Sequence, residues 1–157
     1  VTGPGLTLVG VLNNLGVTLS QLDRADEAID VYRRTARLAR EHGGDQHWLY
    51  LGATSNLATL TARHGDPREA QRLVLEVLPA LEQAAGSDSG MDAGYYAAAL
   101  GTLAETQLAL GDPLAAERSY RKGLSVLERI DQNAYADVRA ELAQGLAKSA
   151  AAATGTR

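Results

Sequence analysis

The chain has 157 residues, of which 45% are hydrophobic and 22% are charged, a balance typical of a single folded domain. Its formal net charge of −4 disfavours binding to a nucleic-acid backbone. Cysteine is absent, which excludes disulfides, thiol catalysis and thiolate metal sites. Because the apolar runs are shorter than the ~20 residues of a membrane-spanning helix and no signal peptide is visible, we expect a cytoplasmic domain.

The sequence predicts helices throughout. Phenylalanine is absent, aromatic residues make up 4% of the chain, and Ala, Leu, Arg, Glu and Gln dominate. Apolar residues at helical spacing and breaks between them predict seven helices near 6–22, 25–41, 46–63, 67–84, 93–110, 113–130 and 134–150. The small, polar tail at 151–157 is expected to fray.

Helix starts are marked by aspartate followed by proline. Asp66 is an expected cap, Pro67 takes the first helical position and Glu69 closes a capping box. Asp112 with Pro113 repeats this device without the acid. Further breaks are expected at 43–45, 86–90 and 131–133, with Asp45 and Asp92 as caps.

One short pattern recurs along the chain. A leucine is followed by a very small residue, then by alanine twelve positions later and by a larger residue sixteen positions later. The small residues are Gly16, Ala58 and Ala104, the alanines are Ala28, Ala70 and Ala116, and the larger residues are Tyr32, Val74 and Tyr120. A fourth, half-length copy begins at Leu142 and Ala143.

This pattern predicts stacked helical hairpins. Two helices approach closely only where the side chains between them are small, as at Gly16 and Ala28. One hairpin cannot cover its own apolar face, so neighbouring hairpins must stack.

The order of leucine and small residue, turn residue, alanine and aromatic residue resembles the tetratricopeptide repeat over roughly residues 8–150. The copies are similar to the long-repeat (about 42-residue) type of kinesin light chains and bacterial regulators. The resemblance implies an all-α, right-handed α-α superhelix with three hairpins at about 6–41, 46–84 and 93–130 and a capping helix at about 134–150. The stretch 37–45 is similar in style to C-terminal repeat domains of actinobacterial transcriptional regulators or signalling ATPases.

Tyr50, Tyr96 and Tyr135 form a second column, each eight residues before the small position. They are either an aromatic binding row or core filling between hairpins, and we favour core filling because buried aromatic residues usually serve packing.

Candidate binding residues lie on the concave surface, which the first helix of each hairpin lines in such solenoids. The register selects Asn13, Val17, Ser20 and Gln21, then Ser55, Thr59 and Arg63, then Glu105 and Leu108, and finally Gln144 and Lys148. The resemblance implies that this surface holds a peptide. Asn13, Asn14 and Asn56 resemble the amides of the family's carboxylate clamp, but its paired lysines do not appear; a packing role for Asn14 and Asn56 stays open.

No sequence pattern predicts an enzyme. His42, His47 and His64 are the only histidines and match no metal-ligand spacing, so we expect solvated surface groups. Neither a nucleophile elbow nor a phosphate-binding glycine-rich loop occurs. We expect no catalytic residue, cofactor or metal.

Two surface features have two interpretations each. The arginines Arg33, Arg34, Arg37 and Arg40 are a docking patch for an acidic partner or, as we favour, a solvated face. Trp48 is a partner contact or a cover for the bend at 43–44.

The expected function is a scaffold that binds an extended or helical peptide, within a larger cytoplasmic bacterial regulatory or signalling protein. No direct nucleic-acid or membrane partner is expected. The alternative is homo-oligomerisation, with a possible homodimer, through the terminal helices, because Val138, Leu142 and Leu146 give the last helix an apolar face.

Overall fold

The computed structural model describes residues 4–86, 90–131 and 133–155, and these residues form helices and connecting turns without a strand. The helices are α1 (Pro4–Gln21), α2 (Ala25–Gly43), α3 (Trp48–His64), α4 (Pro67–Ala85), α5 (Gly90–Ala109), α6 (Pro113–Leu127) and α7 (Ala136–Gly155). The all-α prediction is therefore confirmed, and each predicted helix has a counterpart at nearly the predicted range.

The two aspartate caps at Pro-initiated helices are confirmed. The Asp66 carboxylate accepts hydrogen bonds from the backbone N–H groups of Arg68 and Glu69 at 3.0 and 3.1 Å. Asp112 accepts one from Ala115 at 2.9 Å. The expected capping box at Asp66 is only half formed, because the Glu69 carboxylate pairs with Arg72 at 2.8 Å instead.

The other two expected caps are wrong. Helix α3 begins after His47, whose Nδ1 accepts a hydrogen bond from the Leu49 N–H at 3.2 Å, while Asp45 pairs with Arg40 at 2.6 Å. Asp92 lies inside the first turn of α5, which begins at Gly90. Residues 87–89 of the predicted break lie outside the described residues.

The end of the chain also differs from the prediction. Helix α7 continues to Gly155, five residues beyond its predicted end at 150. Alanine favours helix at these positions, and the Thr154 hydroxyl donates to the Ala151 carbonyl at 2.9 Å. The last two residues, 156–157, lie outside the described residues.

Helix α6 ends three residues before the predicted position because Arg139 hydrogen-bonds to the backbone at and just after this end. The guanidinium of Arg139 donates to the carbonyls of Leu127, Ile130 and Asp131. These bonds satisfy carbonyls at the end of α6 and fix the start of α7 against it.

The helices form a curved stack of three hairpins, α1–α2, α3–α4 and α5–α6, followed by α7. Each helix packs against the next one along the chain, and the first helices also contact one another in the order α1, α3, α5, α7. Within the described ranges, the backbones of α2, α4 and α6 do not approach each other in this way. The first helices therefore line the inner, concave side of a superhelix and the second helices its outer side.

The repeated small residues are buried in all three hairpins. Gly16, Ala28, Ala58, Ala70, Ala104 and Ala116 are all buried, and the five alanines have no exposed surface. The expected nearest neighbour of Gly16 was Ala28, but the atoms nearest to its missing side chain belong to the ring of Tyr32. In the fourth copy Ala143 is exposed, because no helix follows α7 in the described part of the chain, and the buried small residue is Gly145.

The tyrosine column fills the core, as favoured. Tyr50 and Tyr96 are buried, and each lies under a cation held by an ion pair between two second helices. Arg40 of α2 covers Tyr50 and pairs with Glu76 of α4 at 3.3 Å, while the Tyr50 hydroxyl donates to Glu76 at 2.5 Å. Burial and this hydrogen bond raise the pKa of Tyr50 to about 12.

Close packing at Gly16 can be tested by adding one methyl group. A Cβ at Gly16 would lie 2.6 Å from Cε1 of the buried Tyr32 ring, so Gly16→Ala is expected to lower the free energy of unfolding by about 1–3 kcal/mol. At Gly10 on the same helix a Cβ meets nothing within 4 Å, so Gly10→Ala is expected to raise it by about 0.5–1 kcal/mol. Urea denaturation of both variants measures the difference, and equal stability would show that this contact does not limit packing.

Candidate functional site

A pocket opens on the concave side between α3, α5 and α7. It encloses about 400 Å³ of empty space, part of it open to solvent. Residues of the three first helices and one tyrosine of α6 line it: Thr59, Arg63, Ala98, Gly101, Thr102, Glu105, Tyr120, Val138, Glu141 and Leu142. The wall is therefore mixed, with polar side chains from three successive repeats and apolar ones between them.

Two polar contacts join the repeats across this pocket. The hydroxyls of Thr59 and Thr102 lie 2.9 Å apart, which links α3 with α5. A nitrogen of Arg63 lies 3.9 Å from a carboxylate oxygen of Glu141, which links α3 with α7. Because both Arg63 and Glu141 are more than half exposed, this pair is weak and a ligand can replace either partner.

Glu105 lies between these groups, and its carboxylate has lost part of its hydration. This desolvation raises the pKa of Glu105, and the nearby charge of Glu141 raises it further, against the opposing effect of Arg63 and Lys148. Burial and the charge of Glu105 raise the pKa of Tyr120 to about 12. The pocket thus holds carboxylates that a bound cation or hydrogen-bond donor would stabilise.

The structure brings together three of the residues that the sequence selected, Thr59, Arg63 and Glu105. Gln144 and Lys148 are exposed on α7 outside the pocket lining, although the charge of Lys148 acts on Glu105. Leu108 lies outside the pocket lining; it is half-buried and packs against the apolar cluster around Tyr120 and Leu142.

The remaining predicted residues lie away from the pocket. The hydroxyls of Ser20 and Ser55 donate to carbonyls of their own helices, at 2.9 and 2.8 Å. Asn13 is half-buried, and its side-chain oxygen has no hydrogen-bond partner. Val17 and Gln21 are exposed on α1.

Sequence reasoning missed Thr102 and Glu141, which both lie two positions before the small residue of their copy. A signal was present, because this position is polar in every copy: Asn14, Asn56, Thr102 and Glu141. Tyr120 was assigned to packing alone, although it also contributes to the pocket wall from the second helix.

Other candidate features have structural roles or stay exposed. His47 caps α3 and stacks on Trp48, whose side chain is 69% exposed. The four arginines on α2 are exposed, but Arg40 is held by Asp45 and Glu76 rather than simply solvated. Among the described residues, no three His, Asp or Glu side chains group to hold a metal ion. In the same residues no helix is long and apolar enough to cross a membrane.

Comparison with protein families identifies the repeat that forms the first two hairpins. Residues 7–83 match the tetratricopeptide repeat. The chain contains a tetratricopeptide repeat domain. Domains of this family generally serve as protein–protein interaction scaffolds without enzymatic activity of their own.

A solved structure shares the fold over nearly the whole chain. The crystal structure of BtubC (BKLC) from P. vanneervenii is similar to this chain with a TM-score of 0.81 and 18% sequence identity, over 96% of this chain. At this identity the likeness shows the fold alone. The match spans 58% of BtubC, so this chain covers less than two thirds of that protein's length. A comparison with curated protein sequences finds no match.

The raised pKa of Glu105 predicts a pH-dependent cost to stability. The folded state holds the Glu105 proton more tightly than the unfolded state, so stability contributed by this group is lost as the pH rises above the ordinary glutamate pKa. Glu105→Gln is therefore expected to stabilise the fold at pH 7 and to lose this advantage as the pH falls toward about 4. Thermal unfolding of both proteins between pH 4 and 8 measures this, and a pH-independent difference would contradict it.

Proposed function

We propose that this tetratricopeptide repeat domain binds a peptide segment of a partner protein along the concave surface, centred on the pocket between α3, α5 and α7. The observation that supports this most is the convergence of Thr59, Thr102, Glu105 and Glu141 from three repeats on one pocket. Packing does not require these polar groups on a shared surface, whereas recognition of a peptide backbone and its side chains does.

The charges of the pocket favour a particular kind of peptide. Arg63 pairs weakly with Glu141, and the pKa of Glu105 is raised. The residues that line the pocket include no pair of lysines that could bind a terminal carboxylate. An internal segment that offers hydrogen-bond donors, such as backbone N–H groups or a basic side chain, fits this surface better than an acidic chain end. The segment is extended or helical, because either form can contact the three first helices that line the pocket.

We further propose that the domain works as the interaction module of a larger bacterial regulatory or signalling protein in the cytoplasm. The support is the sequence style of 37–45. The domain's own part in this proposal is binding, and it needs no cofactor.

The alternative of homo-oligomerisation through the terminal helices has little support from α7. Leu142 is 1% exposed, and Val138 and Leu146 are half-buried against the same apolar cluster. These side chains face α5 and α6, and the outward positions of α7 at Ala140, Ala143 and Ala147 hold only alanine. An apolar partner surface on α7 is therefore small.

Peptide selection tests the proposed groove directly. A phage-displayed library of twelve-residue peptides is selected on the domain, and the enriched peptides are synthesised and titrated calorimetrically. Arg63→Ala removes a donor to the carbonyls of the peptide, and Glu105→Gln removes a charged acceptor for its N–H groups. Each is therefore expected to weaken binding by about 1–2 kcal/mol, roughly a fivefold to thirtyfold rise in Kd.

Arg33→Ala supplies the matched control, because Arg33 is an exposed arginine on the outer helix α2 and its loss should leave Kd unchanged. The proposal fails if no peptide is enriched, or if the enriched peptides bind both pocket variants as tightly as the unaltered domain.

A further inference from the structure

Helix α1 differs from the other helices in the composition of its solvent-exposed side. It carries no charged residue from Pro4 to Gln21. Leu8, Val11 and Leu15 are 46%, 62% and 44% exposed, and their spacing places them on one side of the helix. We call these three residues the α1 face. Large apolar side chains grouped in this way on an uncharged helix mark an interaction surface.

The internal repeat shows that the α1 face corresponds to a surface that serves packing in the later repeats. Relative to the small residue of each copy, Leu8, Val11 and Leu15 occupy positions that are covered in the later first helices. Their equivalents are Tyr50, Ala53 and Leu57 in α3, Tyr96, Ala99 and Leu103 in α5, and Val138 and Leu142 in α7 with Tyr135 in the turn just before it. Those of α3 and α5 are all at most 7% exposed, and Leu142 is 1% exposed. The α1 face is thus an exposed copy of a packing surface that is buried in α3 and α5 and partly buried at α7, where Tyr135 and Val138 are half-buried.

The same kind of element covers the surface each time. The second helix of the preceding hairpin packs on it: α2 on α3, α4 on α5, and α6 on α7. The contact of α6 with α7 is the closest parallel, because Val138 and Leu142 match Val11 and Leu15 in residue type. There, the missing side chain of Gly123 would lie 3.1 Å from a methyl group of Leu142, and Tyr120 packs on Gly145.

The covering helices share a simple apolar pattern with spacings of three and then four residues. It consists of Tyr32, Thr35 and Ala39 in α2, of Val74, Val77 and Leu81 in α4, and of Tyr120, Gly123 and Leu127 in α6. All nine residues are buried, and charged residues occupy the opposite sides of these helices. In a second copy α2, α4 and α6 are already packed between first helices, and the exposed three-and-four positions of α7 hold only alanine, which offers far less apolar surface than the covering helices do.

We propose that the α1 face binds one amphipathic helix of a partner protein, which carries this three-and-four pattern and packs on α1 as α6 packs on α7. This surface is distinct from the concave pocket, so the domain can hold a peptide in the pocket and a helix on its first repeat at the same time. The bound helix would leave its charged side in solvent, because α1 offers no charge to pair with it.

A peptide copied from α6 serves as the probe. Residues 112–130 are synthesised with a fluorescent label and a hydrocarbon staple between positions 118 and 122, both exposed in α6, because an unstapled peptide of this length is marginally helical. Fluorescence anisotropy is followed while the full chain is added. Saturable binding is expected, and Leu8→Asn with Leu15→Asn should raise Kd at least tenfold. Leu8 and Leu15 are exposed, as are the leucines replaced in the control variant described next. The fold should therefore persist in both variants, and circular dichroism verifies this.

The controls separate this face from other apolar surface. Leu75→Asn with Leu114→Asn removes two leucines of similar exposure from outer helices and should leave Kd unchanged. A stapled peptide with Tyr120→Asp and Leu127→Asp should not bind. The proposal is overturned by absence of binding or by binding that ignores the α1 substitutions. It is also overturned if sedimentation shows self-association that the Leu8 and Leu15 substitutions abolish, since the occupant is then a second copy. None of these three results affects the pocket proposal, because the variants that test the pocket lie on α3 and α5.

Discussion

Each two-helix hairpin of this chain has more apolar surface than the contact between its own two helices can cover. The small position at Gly16, Ala58 and Ala104 lets the two helices of a hairpin approach. The leucine before it is buried in the second and third hairpins, at Leu57 and Leu103, and exposed in the first, at Leu15. Stability is therefore shared between repeats, as in other one-dimensional arrays. The curvature, the concave pocket and the uncovered α1 face all follow from this single requirement.

The sequence predicted the helices well because each of them carries a local signal. Asp66 and Asp112 satisfy backbone N–H groups within three residues of themselves, so their role depends on no distant part of the chain. The spacing of leucine, small residue and alanine predicted the hairpins because this spacing is imposed by contacts between adjacent helices. Errors arose where an ion pair competed with the expected backbone cap, as at Asp45, which pairs with Arg40, and at Glu69, which pairs with Arg72.

The candidate site was predicted only in part, for a related reason. The register identified Thr59, Arg63 and Glu105, since one helical face follows from periodicity. It did not reveal that Glu141 of α7 reaches Arg63 of α3, because that contact spans two repeats and depends on the curvature of the stack. Arg139 likewise looked like an ordinary charged residue, yet it binds the carbonyls that end α6.

Native-state hydrogen exchange tests the shared-stability account most directly. If each repeat depends on its neighbours, the amides of α3, α4 and α5 should exchange slowest and together, while α1 and α7, each with a neighbouring hairpin on one side only, should open first. Exchange of each helix at its own unrelated rate, or protection of α1 equal to that of α4, would contradict the account.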